Sequence, residues 1–438
     1  MLPAFLLSSR WHDEGDKTCL TFWWSTPQGP VRTRIEHPCV CFIRQEDTQK
    51  AERIVQALGW PVDIRPVALK LFSGDAAAAC YLPSDYLYRW RNALRDQGAD
   101  VWELDIRPTD RYLMERFIGA SANIRYQALQ PMADWNEATG VALAPSEYRP
   151  QLRYLSIDIE TSFPRVNEPD RLFSIAFYAP EFEHVLMVAE QAGEGFEAVP
   201  DEAHLLQRFL DVIRDFDPDV LIGWNFIQFD MAFLRRKFAE HGLTFTLGRD
   251  GSELEWRQSS QNPDRIFLHV PGRAVLDGIE CLRAATWQFE SFAMDSVASE
   301  LLNDGKLLHG DERGNDIEYL FDADKTKLAA YNLKDCELVW RIFEHTDLFD
   351  FLVERAALTG LLMDRMGGSV AAFEHMYLPR LHRAGWVAPN LGDGYSAEKS
   401  PGGYVMDSVP GLYKHVLVLD FKSLYPSIIR TFRIDPLG

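Results

Sequence analysis

Asp158 and Glu160 stand two residues apart in the stretch 154–160, YLSIDIE, where Leu155, Ile157 and Ile159 alternate with polar positions. A period of two puts both carboxylates on one side of a strand. Two adjacent carboxylates repel unless a cation neutralises them. Hard oxygen ligands suit Mg²⁺ or Mn²⁺ rather than zinc. A solvated strand end could carry the same residues, so the pair alone is not diagnostic. Asn225 and Asp230, in GWNFIQFD, follow the apolar run 220–224. The carboxyl ends of buried strands are where sheets with crossover helices hold ligands. The alternative is that Asp230 caps the helical MAFLRRKFAEHG behind it. Tyr331 and Asp335, in YNLKDCEL, lie four apart on a helical pattern and share a face one turn apart. An aspartate among apolar neighbours costs free energy unless a partner meets it, either a metal or a salt bridge at the rim.

These residues need a sheet and helices to hold them. The first 45 residues read as strands over 4–10, 18–25 and 31–36, with Phe22, Trp23 and Trp24 as core aromatics. A helical pattern over 47–58 stops at Gly59 and Pro61. Ser84 can cap a second helix to about 95, and 99–104 reads as a strand. Strands follow over 154–160, 171–178, 184–189 and 220–224, and a helix over 201–214 buries Leu205, Leu206, Phe209, Leu210 and Ile213. A long helix spans 325–345, with linkers at 130–149 and 388–403. Strands alternating with helices predict an α/β fold, α+β overall.

The 438-residue chain should hold two to four domains. Its composition, 47% hydrophobic and 25% charged, excludes a disordered chain. No apolar run is long enough for a membrane helix. The N-terminus has no basic region or cleavage site of a secretory signal, and the six cysteines contain no CxxC pair, so a cytoplasmic location is expected. The net charge of −20 excludes wrapping nucleic acid with the whole surface but allows a local basic track, with Arg235, Arg236 and Lys237 as candidates. From residue 361 onward there are eight Lys/Arg against seven Asp/Glu, so the acidity belongs to the preceding part.

In this order, DIE, NxxxFD and YxxxD resemble the three motifs of the DEDDy 3′–5′ exonucleases, and more specifically the proofreading domain of family B DNA polymerases. GRAVLDGIE (272–280) is similar to the family's segment between the second and third motifs. VLVLDFKSLYPSIIRTFRIDP (416–436), whose apolar run 416–419 reads as a strand ended by Asp420, resembles polymerase motif A, SPGGYV (400–405) the link between the two halves, and 364–390 the same part of a bacterial member. The resemblance implies an N-terminal α/β module over 1–145 and an RNase H-like exonuclease domain over 146–360. A linker and the start of a polymerase palm would follow over 361–438, ending after motif A.

The resemblance further implies DNA-directed DNA synthesis with proofreading, in replication or repair, by a nucleoid-associated enzyme. Asp158, Glu160, Asp230 and Asp335 would hold two Mg²⁺ or Mn²⁺ ions, and Tyr331 would orient the attacking water. Asn225 and Phe229 would hold the frayed 3′ end of single-stranded DNA. Asp420 would be a metal ligand of the polymerase site. Backbone amides at Ser423, Leu424 and Tyr425 would hold the dNTP triphosphate, with the Tyr425 ring under the sugar. Primer-template DNA, a dNTP and, for the full-length enzyme, a sliding clamp are the partners implied; a membrane is not. Without the second polymerase aspartate motif, only the exonuclease is expected to act in this chain. A free-standing DEDDy nuclease is the alternative, but it has no use for motif A. A non-catalytic DNA-binding fragment has no use for four carboxylates.

Overall fold

The computed structural model describes residues 1–163, 169–259, 262, 265–305, 313–392 and 404–434. The site rests on a six-stranded sheet in the order Glu197–Val199, Phe182–Val188, Leu172–Ala179, Tyr154–Thr161, Val220–Gly223, Ala274–Asp277. Tyr154–Thr161 is central. It pairs antiparallel with Leu172–Ala179 and parallel with Val220–Gly223. Alternation along it sends Leu155, Ile157 and Ile159 to one face, where they pack with Leu205, Leu206 and Phe209 of helix Glu202–Phe216 and Phe233, Leu234 and Phe238 of helix Ala232–Glu240. The opposite face receives helix Lys325–His345. Its N-terminal half packs on Phe173 and Ala176, its C-terminal half on Val220, Ile222, Ala274 and Leu276.

Gly223 allows the close approach at the end of its strand. A Cβ there would lie 2.6 Å from the Phe226 ring and 2.9 Å from the Ile157 carbonyl oxygen, separations that atoms do not adopt. Behind the same strand, Arg249 and Arg273 form a buried network with Asp217 and Asp219, at 2.8 to 2.9 Å.

The N-terminal part is mostly antiparallel. A seven-stranded sheet runs Ala142–Pro145, Ser121–Arg125, Leu2–Glu14, Lys17–Ser25, Val31–Glu36, Asn136–Thr139, Ala128–Pro131. Phe22, Trp23 and Trp24 are buried in it, as their apolarity predicts. A four-stranded sheet runs Trp386–Val387, Asp63–Leu71, Ala76–Leu82, Cys39–Arg44, with helices Thr48–Leu58 and Leu87–Arg95 against it. Trp386–Val387 therefore joins the N-terminal part from far along the chain, and helix Ser369–Arg383 leads into it.

Four local expectations need correction. The linker expected over 130–149 instead supplies strands Asn136–Thr139 and Ala142–Pro145 of the seven-stranded sheet. The strand expected over 99–104 is a single bridge between Trp102 and Phe42. Glu103 takes a left-handed φ of 54°, which ends any ladder, and its buried carboxylate bonds Arg111 at 2.5 Å instead. Ser84 does not cap a helix. Its hydroxyl donates to Asp13 at 2.8 Å, a stronger acceptor. The run 416–419 is no strand: Val416 to Leu419 are 66 to 90% exposed and have no ladder partner among the described residues. The linker expected over 388–403 and the SPGGYV segment lie mostly outside the described residues, as do the last residues of the motif A stretch.

Candidate active site

Tyr154–Thr161 delivers Asp158 and Glu160 to the face covered by helix Lys325–His345, and that helix delivers Asp335. One carboxylate oxygen from each of the three lies within 4.8 Å of the others. Glu160 and Asp335 are buried and Asp158 is half-buried. Asn332, one turn from Asp335, donates to Ser174 Oγ at 3.2 Å and fixes the helix on the neighbouring strand. Cys336 Sγ does the same through the Ala176 carbonyl at 3.4 Å. Burial raises the Cys336 thiol pKa well above the usual range, and the charges of Asp158, Asp335, Asp230 and Glu160 raise it further. All four acids therefore act on this one thiol.

Asp230 sits slightly apart, in a π-helical turn, Ile227–Met231, that links the end of Val220–Gly223 to helix Ala232–Glu240. Such turns displace a side chain from the regular helical path. Its Oδ1 accepts from the Ile159 backbone N–H at 3.2 Å, midway between Asp158 and Glu160. Burial, then the Asp158 charge, raises its pKa well above the usual carboxylate range. A buried carboxylate whose proton is held up in this way by a neighbouring charge is matched by a cation. The donor set is all carboxylate oxygen, which fits a hard divalent ion.

Tyr331 is one turn before Asp335, 2% exposed, among Phe173, Ala176 and Met187. Asn225 is exposed, with a left-handed φ of 53° that asparagine tolerates. Phe229 is 45% exposed, its ring 6.3 Å from that of Phe233. Asn225 precedes the turn carrying Asp230, Phe229 lies within it, and both stand open to solvent.

Asp277 escaped the sequence reading. It ends strand Ala274–Asp277 opposite Gly223 and caps helix Gly278–Ala284, accepting from the Ile279 N–H at 3.0 Å. Burial pushes its pKa up to about 6. The Asp-Gly ending an apolar run was the available signal.

A cleft of 1210 Å³ meets the site at Asn225, Ile227 and Gln228. It does not include Asp158, Glu160 or Asp335. Arg10, Arg107, Arg257, Arg265, Arg283 and Arg365 line it, with Trp11, Trp256 and Phe267. Asp110, Glu255, Asp277, Glu280 and Asp364 line it too, with Arg10 paired to Glu255, Arg265 and Arg283 to Glu280, and Arg365 to Asp110. This mixed lining, with six arginines, differs from the helix face expected from sequence. Lys237 is buried between Glu202 and Glu240, Arg236 is paired with Asp170, and Arg235 stacks on Trp256.

The residues expected to serve nucleotide transfer lie elsewhere. Asp420 is exposed in irregular chain, and Ser423, with a φ of 53°, precedes helix Leu424–Phe432. Tyr425 is 78% exposed. The structure does not bring these residues to the Asp158 cluster.

A carboxylate cluster at the junction of a mixed sheet and a covering helix is a donor set of the class that holds hard metal ions. The description "DNA polymerase family B, exonuclease domain" matches residues 99–286, and "DNA polymerase family B" matches 365–435. DNA polymerase II of Escherichia coli (strain K12) is 42% identical over 447 residues, covering 99% of this chain and 55% of that protein. A DNA polymerase of Thermococcus gorgonarius is 26% identical over 363 residues, covering 79% of this chain and 42% of its own length. The family B DNA polymerase of the hyperthermophilic archaeon Pyrobaculum calidifontis has the same fold, with a TM-score of 0.77 at 22% identity over 99% of this chain and 57% of that one. The chain belongs to the family B DNA polymerases and contains the family's exonuclease domain. It spans about half the length of the curated relatives it matches. Among the described residues, no helix is long and apolar enough to cross a membrane.

Proposed function

We propose that this chain performs the 3′–5′ exonucleolytic step of a DNA polymerase, removing nucleotides from a single-stranded or frayed DNA end. The observation that carries the reading is the convergence of Asp158, Glu160 and Asp335 oxygens within 4.8 Å. Asp158, Glu160 and Asp335 are the ligands of this reading, and Asp230, behind the Ile159 amide, steadies the strand and adds charge for a second ion. Bound Mg²⁺ or Mn²⁺ ions supply Lewis-acid chemistry, lowering the pKa of a water and offsetting phosphate charge. Tyr331 positions that water through its hydroxyl. Asn225 hydrogen-bonds and Phe229 stacks on the terminal nucleotides, a sequence-tolerant mode that removal of any mispaired base requires. The arginine-lined cleft attracts the strand to an otherwise acidic protein, so binding weakens with added salt.

The whole polymerase, in this reading, adds dNTPs to primer-template DNA in the bacterial nucleoid during replication or repair, with room for a sliding clamp as partner. Asp420 is one metal ligand of that second site, and the amides at Ser423, Leu424 and Tyr425 hold the triphosphate. The test is digestion of 3′-labelled single-stranded DNA with Mg²⁺, Mn²⁺ or a chelator. Metal-dependent release of mononucleotides from the 3′ end is expected. Endonucleolytic products, or hydrolysis that persists with chelator, reject the reading.

A further inference from the structure

The first hairpin carries a second cluster, unlike the active site in its chemistry. In the pairing of Leu2–Glu14 with Lys17–Ser25, His12 is directly opposite Cys19. Glu14 lies two residues beyond His12 and therefore on the same face. One donor atom each from His12, Glu14 and Cys19 falls within 4.8 Å of the others. We propose that His12, Glu14 and Cys19 form a site for one transition-metal ion of the zinc class, on the outer face of this hairpin.

The donor set carries the assignment. A ring nitrogen, a carboxylate oxygen and a sulfur together match Zn²⁺ or Co²⁺, whereas the all-oxygen set at Asp158 selects hard ions. His12 Nε2 and Glu14 Oε1 are 2.8 Å apart, a separation at which they share one proton. An ion takes the place of that proton, which a neutral ring keeps on Nδ1, and displaces the thiol proton of Cys19 to water. His12 and Glu14 are exposed while Cys19 is buried, so an ion can enter from solvent and reach the sulfur beneath. Glu36 stands opposite Cys19 on the next strand, its charge offset by Lys17.

The scaffold is fixed from the other face. Asp13, between His12 and Glu14, points away from them and accepts from Thr18 Oγ1 at 2.6 Å, Ser84 Oγ at 2.8 Å and the Asp85 N–H at 2.8 Å. The hairpin is thus pinned to the neighbouring sheet while its outer face presents three ligands. A fourth position is left for water, as in open three-ligand zinc sites.

The test is titration of the metal-free full chain with Co²⁺ in excess Mg²⁺, which keeps the carboxylate site occupied by a hard ion. The expected result is a thiolate-to-cobalt charge-transfer band saturating at one equivalent and displaced by Zn²⁺. Cys19→Ala should abolish the band, and His12→Ala, at an exposed position, should weaken affinity at least about 10-fold. Exonuclease activity in Mg²⁺ should be unchanged in both. Absence of the band, its persistence in Cys19→Ala, or unaltered affinity in His12→Ala would overturn the proposal.

Discussion

Asp158, inside an alternating strand, and Asp420, at the end of an apolar run, both belong to recognisable motifs, yet they have different surroundings. Asp158 lies on a strand paired on both sides, under a 21-residue helix that brings Asp335. Asp420 follows Val416–Leu419, whose side chains are 66 to 90% exposed. The hydrogen bonds of its segment are local, such as Tyr413 Oη to the Val409 carbonyl. Each apolar side chain left in water forgoes about 1.5–3 kcal/mol of burial. A motif therefore names a ligand, but the ladder and the covering helix set its position. Chemistry that needs several ligands held together should be found at the first aspartate and not at the second in this chain.

The largest effect expected is at the first. Asp158→Ala removes a ligand from the cluster and should lower single-strand hydrolysis by more than the roughly 10–100-fold typical of an outer-shell change. Circular dichroism should show the fold retained. Undiminished activity would break the comparison at once. At the second aspartate, the chain should incorporate no dNTP into a primed template, because two metals and a triphosphate need more than one carboxylate. Extension that survives repurification and disappears in Asp420→Ala would show a working polymerase site where the structure shows an exposed segment.

Stability should divide in the same way. Phe209 is fully buried against the sheet face opposite the acids, so Phe209→Ala should cost about 3–5 kcal/mol in denaturant unfolding. Leu417→Ala should change it by no more than about 0.5 kcal/mol, since nothing packs on that side chain. Equal losses would mean that residues 404–434 are packed in solution.

Period and spacing explain which parts could be read in advance. The alternation in 154–160 gave the face of Asp158 and Glu160, and the four-residue spacing of Tyr331 and Asp335 gave their shared helix face; both faces are as expected in the structure. These are local properties of a strand and a helix. Asp277 and Asn332 act across the sheet through partners far away in sequence, so no window around them shows the role. The cleft gathers Arg10, Arg107, Arg257 and Arg365 from distant segments, and the contiguous Arg236 and Lys237 are taken up by Asp170 and Glu202, equally distant in sequence, so neither outcome is visible in a local window. Residues 99–104 failed as a strand because a buried ion network at Glu103 outweighs local propensity.

That same network marks where the packed body ends, and it yields the smallest effect expected. His382, near the end of helix Ser369–Arg383, lies between Glu103 at 2.9 Å and Glu115 at 2.6 Å, with Arg111 and Arg383 beside the carboxylates and the Phe42 ring 5.7 Å away. Burial lowers the His382 pKa, but its bonds to Glu103 and Glu115 outweigh this and raise it above 6.5. Burial likewise raises Glu115, and His382, then Arg383 and Arg111, bring it down to about 2. A raised histidine contributes stability below 6.5 that is lost as pH climbs through its folded value, and a depressed carboxylate contributes stability above 4.5 that is lost as pH falls towards 2. The helix and Trp386–Val387 should therefore be held most firmly between these limits. Hydrogen exchange over 369–387, corrected for intrinsic rates, should show protection falling from pH 6 to pH 9. His382→Gln should remove most of that alkaline loss, by starting lower at pH 6. Protection in the wild-type chain that is flat across this range would place the hold on residues 369–387 in their apolar contacts alone.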